Sequence, residues 1–238
     1  MCNYLSAIGR KNGDVYHSEY TDSHEYLLLA GGFKEPAEGR EANWCRIEYR
    51  PENTADLVDI SKYKLRIDQE APAWLKDSIK AKWEAKLKVI AAGNIINGGK
   101  APILLGGKHI ICGGAEIEIM LGGIVQLLSG GTVKRVASGG TVETVESGGT
   151  VKTVLSGGTV ETVASGGTVE TVASGGTVET VESGGTVETV ASGGTVETVA
   201  SGGTVKRVAS GGTVKTVLSG GTVETVASGA TISGKTKK

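Results

Sequence analysis

A chain of 238 residues has room for one or two domains, but 38 glycines, one phenylalanine and 4% aromatic residues exclude an ordinary hydrophobic core through much of its length. A formal charge of −1 argues against nucleic acid as a partner, and no apolar run reaches the eighteen or so residues of a membrane span. Three cysteines, Cys2, Cys45 and Cys112, are an odd number without CxxC spacing, so free thiols are expected instead of a disulfide framework or a zinc ribbon.

Residues 1–70 read as a small α+β domain. Two short apolar runs, residues 4–8 and 14–17, flank Lys11-Asn12-Gly13, and Asn-Gly between such runs signals a hairpin because both central residues tolerate positive φ. Asp22-Ser23-His24-Glu25 precedes Tyr26-Leu27-Leu28-Leu29-Ala30, so Asp22 and Glu25 fit a capping box, with Gly31-Gly32 as the stop. Alternation over residues 44–49 and 63–67 predicts two half-buried strands separated by the loop 51–60.

Residues 71–93 form the clearest helical pattern. Pro72 is expected to open a helix over 73–92, with Trp74, Ile79, Trp83, Leu87 and Ile90 on one face and lysines on the others. This amphipathic helix is expected to cap the glycine-rich C-terminal half of the chain. In residues 94–128, Gly-Gly pairs at 98, 106, 113 and 122 separate apolar runs, as worn copies of the next segment would.

From 129 to 227 one nine-residue phrase, Ser-Gly-Gly-Thr-Val-x-[Thr/Arg]-Val-x, recurs eleven times without a gap. Only the valines at positions five and eight are apolar in every copy, so they face inward. A spacing of three breaks the two-residue period of a straight strand, which implies a bend between the valines and a turn at Ser-Gly-Gly. One copy cannot enclose a core. Two per coil, about 18 residues, let valines from opposite sides meet, and the fold class follows as an α+β N-terminal domain joined to an all-β parallel β-solenoid. Residues 228–238 form a C-terminal cap and a basic tail with Lys235, Lys237 and Lys238.

Near-identical copies hold no unique catalytic constellation. The nonapeptide period is shared with calcium-binding β-rolls, which need Asp in the turn; no Asp follows Asp77, and neither metal nor cofactor is expected. Position six carries charge. With two copies per coil, one side stacks Lys134, Lys152, Glu170, Glu188, Lys206 and Glu224, and the other stacks Glu143, Glu161, Glu179, Glu197 and Lys215. The four successive carboxylates Glu143, Glu161, Glu179 and Glu197 repel one another and form a candidate acidic binding strip, although a solvated surface accounts for them as well. Outside the repeat, Cys2 would become an N-terminal nucleophile if Met1 were removed, with His24 as its acid-base partner. His109 and Cys112 fit packing roles.

Over roughly residues 129–232 the Ser-Gly-Gly-Thr-Val pattern resembles the passenger repeats of AIDA-type autotransporter adhesins, which are parallel β-solenoids. It departs from them in showing neither a secretory leader nor a membrane barrel, so cell-surface adhesion does not carry over. Met1-Cys2-Asn3-Tyr4-Leu5-Ser6-Ala7, Asp22-Ser23-His24-Glu25 and Cys45-Arg46-Ile47-Glu48-Tyr49 resemble the start of uncharacterised phage and prophage proteins that end in short tandem repeats. That likeness implies a mobile-element origin and a setting in the cytoplasm of a bacterial host. The expected function is non-enzymatic binding or scaffolding through the solenoid, with a protein partner or self-association through coil ends and no membrane. Its rivals are a small N-terminal enzyme or ligand-binding domain on a solenoid stalk, with Cys2 as nucleophile, and a phage inhibitor of a host enzyme.

Overall fold

The computed structural model describes residues 5–18, 23–38, 40–53 and 56–235, and the chain divides into two units, residues 1–95 and 96–238. In the first, β1 (Leu5–Arg10) and β2 (Val15–Tyr16) pair as the expected hairpin. In its turn Gly13 takes positive φ, +91°, and Asn12 does not. The Gly13 amide donates to the Arg10 carbonyl at 2.9 Å and the Arg10 amide to the Asp14 carbonyl at 2.8 Å. The three residues between the strands, Lys11-Asn12-Gly13, form a loop that ends in a left-handed glycine.

The first helix, α1 (His24–Ala30), starts behind Ser23, whose side chain makes no capping bond. Glu25 is then the second helical residue, one place early for a capping box, and Asp22 lies outside the described residues. After it come β3 (Trp44–Arg50) and β4 (Lys64–Ile67), which complete an antiparallel sheet in the order β2-β1-β3-β4. The second helix, α2 (Asp77–Gly93), begins four residues later than Pro72 suggests. The Pro72 carbonyl instead accepts from Leu75 in a separate turn, and the Trp74 indole donates to the Ala42 carbonyl at 2.7 Å. That bond draws residues 72–75 toward the segment that leads into β3 and away from the helix.

Two helices cover two faces. Ile8 packs with Leu27 and Leu28 of α1 and with Trp44, whereas a Cβ on the next residue, Gly9, would lie 2.6 Å from the Trp83 ring of α2. Adjacent strand residues point to opposite faces, so α1 and α2 lie on opposite sides of the sheet. Along α2 the buried residues are Trp83, Leu87 and Ala91, four apart, which is the spacing of one helical face.

In the second unit every strand pairs in parallel with the strand two further on. β5 (Ile95–Asn97), β7 (Lys108–Cys112), β9 (Gly123–Leu128), β11 (Gly140–Val145), β13 (Thr159–Val163), β15 (Thr177–Val181), β17 (Thr195–Val199), β19 (Thr213–Val217) and β21 (Thr231–Lys235) form one nine-stranded sheet. β6 (Lys100–Leu104), β8 (Glu116–Met120), β10 (Thr132–Val136), β12 (Thr150–Val154), β14 (Thr168–Val172), β16 (Thr186–Val190), β18 (Thr204–Val208) and β20 (Thr222–Val226) form an eight-stranded sheet. This is a parallel β-solenoid, and residues 94–128 belong to it as worn copies. Coil length grows along it. Lys100 pairs with Glu116 and Glu116 with Thr132, 16 residues apart; Gly123 pairs with Gly140, 17 apart; Thr132 pairs with Thr150, and from there each coil has 18.

Within a copy, residues four and five and residues seven and eight are in register with the next coil, as in Thr150, Val151, Thr153 and Val154, while position six is skipped. The strand bends there, which turns both valines of a copy into the core. All twenty valines of the first ten copies are buried. The last pair is not, since Val226 is 46% exposed and Val223 only partly covered. Beyond it, the segment 231–235 is a further strand pairing with β19, from Thr213 with Thr231 to Val217 with Lys235.

Ser-Gly-Gly is required by the stacking. At the turn 183–185, Gly184 has φ +78°, and a Cβ on Gly185 would lie 2.1 Å from the Val163 carbonyl oxygen in the coil below. The ladder continues through the corner: the Gly184 amide donates to the Gly202 carbonyl at 2.9 Å and the Thr186 amide to the Gly167 carbonyl at 3.1 Å. Backbone groups that would otherwise be orphaned at the turn are thereby satisfied by the neighbouring coils.

Candidate functional site

The outward residues of the repeat form straight rows, because each coil repeats the one below in register. Glu143, Glu161, Glu179 and Glu197 occupy successive position-six sites of the nine-stranded sheet, as predicted, flanked by the pairs Val142 with Val160, Val160 with Val178 and Val178 with Val196. Lys215 continues the row and its Nζ lies 2.5 Å from Glu197 Oε1. Within the row, Glu161 and Glu179 thus have only carboxylates as neighbours. Burial, and then the charge of Glu179, push the Glu161 carboxyl above its ordinary value.

The row on the eight-stranded sheet is mixed. Lys206 Nζ lies 3.0 Å from Glu188 Oε1, and Lys134 lies 2.5 Å from Glu118 and 3.6 Å from Glu116 in the worn coils. Glu116 also meets Lys100 at 3.1 Å, and that bond first, with Lys134 further down, holds its carboxyl below the usual range.

Cys2 lies outside the described residues. His24 is buried, its Nε2 3.1 Å from the Ile47 carbonyl and its Nδ1 3.1 Å from Asp68 Oδ2. Each ring nitrogen thus already faces an acceptor at hydrogen-bond distance. The ring ties α1 to β3 and to the residue after β4. No sequence signal points to Asp68, which stands 44 positions from His24 and reaches it only through the sheet.

Cys45 is buried beside the sheet, and burial pushes its thiol up to about 11. Cys112 is likewise a buried free thiol, raised by burial. His109 Nε2 faces the Gly106 carbonyl at 2.9 Å, and its Nδ1 is buried without a partner. Both residues sit in the solenoid wall as packing residues.

No family model, curated protein or solved structure matches this chain.

Its chemistry therefore has to be read from its own surfaces. Among the described residues there is no group of three or more His, Cys, Asp or Glu side chains arranged to hold a metal ion, and no helix is long and apolar enough to cross a membrane. A cleft absent from the sequence reading lies in the first unit, between the β1–β2 loop, the segment after α1 and the start of β3. Its polar side chains come from positions 10–12, 34 and 43, too scattered along the chain to form a motif.

Proposed function

We propose that this chain is a non-enzymatic scaffold that binds protein through its solenoid, along the outer rows or at a coil end. The observation that carries the reading is the stacking of equivalent outward positions from coil to coil, which multiplies one weak contact along the rod and favours avidity over a single pocket. A partner with regularly spaced cations suits the Glu161 and Glu179 stretch. A second copy suits the last coil, where Val223 and Val226 are less covered than the twenty valines before them.

The N-terminal resemblance to phage and prophage proteins supports a mobile-element origin, and the buried free thiols Cys45 and Cys112 suit the reducing cytoplasm of a bacterial host. Catalysis by Cys2 with His24 gains no support from a histidine whose two nitrogens are already engaged.

Sedimentation velocity over a wide concentration range tests the end contact. Concentration-dependent association that the V223E/V226E variant abolishes supports it. A monomer at every concentration removes self-association and confines the reading to the rows, where a lysine-rich peptide whose binding is lost in E161Q/E179Q is the expected result; no binding there ends the scaffold proposal.

A further inference from the structure

The cleft in the first unit has a volume of about 540 Å³, within the range that small-molecule sites occupy. Arg10, Lys11 and Lys34 line it, and among the described residues no carboxylate does. Among the described residues none of the three forms an ion pair, whereas Arg46, Arg50, Lys64, Arg66, Lys80 and Lys86 of the same unit all do. Asp14, at the end of the hairpin loop, is occupied by Lys86 and by the Asn12 amide, and Arg10 is the weakest influence on it. The adjoining hollow makes the contrast, since Arg46 shares its walls with Glu35, Glu41 and Glu70.

The backbone that carries these cations is anchored, and the Lys11 Nζ stands 5.8 Å from the Trp74 ring centroid. The Arg10 guanidinium carbon stands 4.8 Å from the Phe33 ring centroid, a cation–π contact that does not use the N–H groups with which a guanidinium pairs an oxyanion. The Lys11 amide donates to the Asn43 carbonyl at 2.9 Å, and the Trp44 indole donates to the Lys34 carbonyl at 3.2 Å. Both lysine-bearing segments are thus anchored to the start of β3. Three like charges around one hollow repel, and a compact anion placed among them relieves that repulsion.

We infer that this cleft binds the phosphate groups of a small phosphorylated molecule, a diphosphate or larger. Arg10 pairs two oxygens through its planar fork, and Lys11 and Lys34 take the remaining charge as point cations.

Calorimetric titration of the full chain with inorganic pyrophosphate at fixed ionic strength tests the assignment. Saturable one-to-one binding is expected, weakened about tenfold or more in K11Q/K34Q, in line with the loss of charge-assisted bonds. R10K, which keeps the charge and loses the fork, weakens it too, while K62Q/K76Q leaves it unchanged. Thermal melting of each variant confirms that it is folded. The proposal falls if neither pyrophosphate nor ADP binds saturably, or if K11Q/K34Q binds as the parent does. It falls equally if citrate binds as well as pyrophosphate, or if a DNA duplex displaces pyrophosphate more effectively than ADP.

Discussion

The Val163 carbonyl oxygen accepts from the Glu182 amide at 2.9 Å and stands 2.1 Å from where a Cβ on Gly185 would lie. Gly185 has no room for any side chain, because the atom it would strike is a backbone acceptor already used to join two coils. G185A should therefore lower stability by about 3 kcal/mol, the upper range for overpacking a filled interior. G93A, where nothing lies within 4 Å, should change stability little. Urea unfolding of both variants followed by circular dichroism checks the contrast, and equal midpoints would contradict the stacking argument.

Burial of the valines is even through ten copies and fails in the eleventh. V178A, at a fully buried position, should cost about 2 kcal/mol through lost transfer energy and a residual cavity. V226A, 46% exposed, should cost under about 0.5 kcal/mol. A large loss in V226A as well would mean that the final coil is covered in solution, as stacking of a second copy at the end would cover it.

How much of this was legible depended on whether a feature repeats. The valine spacing of three, the inward face and the 18-residue coil all follow from the identity of the copies, since the pattern is stated eleven times. The 16- and 17-residue coils of the worn segment were not legible, because apolar runs such as Ile103-Leu104-Leu105 do not show which residue is the corner. In the first unit the strands and the second helix are visible as periodicity. The start of α2 is misplaced because Pro72 reads as a helix opener, whereas Trp74 spends its indole on Ala42 and residues 72–75 form a separate turn. For His24 the sequence offers only its chain neighbours, whereas its partners, Ile47 and Asp68, are set by strand pairing.

Glu161 binds its proton more tightly in the folded chain than an ordinary carboxyl, through burial first and Glu179 second. The folded state then holds the extra proton between the ordinary and the raised value, so this position loses stability as pH rises through that window, and the loss is complete above it. E161Q removes the penalty without changing shape. Its urea midpoint should exceed that of the parent at pH 7, and the two should converge below the ordinary carboxylate range. A less stable E161Q at pH 7 would show that the charge is compensated.

Cys45, with its thiol pushed up to about 11 by burial, should resist alkylation at pH 8, where thiolate is scarce and access is closed. Peptide mapping after iodoacetamide treatment should find Cys45 unmodified in the folded chain and fully modified in urea. Rapid labelling without denaturant would contradict the packing of β3.

The central claim is that residues 18 positions apart are neighbours and residues nine apart lie on opposite sheets. Thr168 pairs with Thr186 on adjacent strands of one sheet, about 4.8 Å apart, while Thr177 belongs to the other sheet. Disulfide formation under mild oxidation, located by mass spectrometry, separates the two geometries because a bridge needs Cα atoms within about 7 Å. T168C/T186C should close an intramolecular disulfide and T168C/T177C should not. Closure of T168C/T177C in preference to T168C/T186C would contradict the two-copy coil.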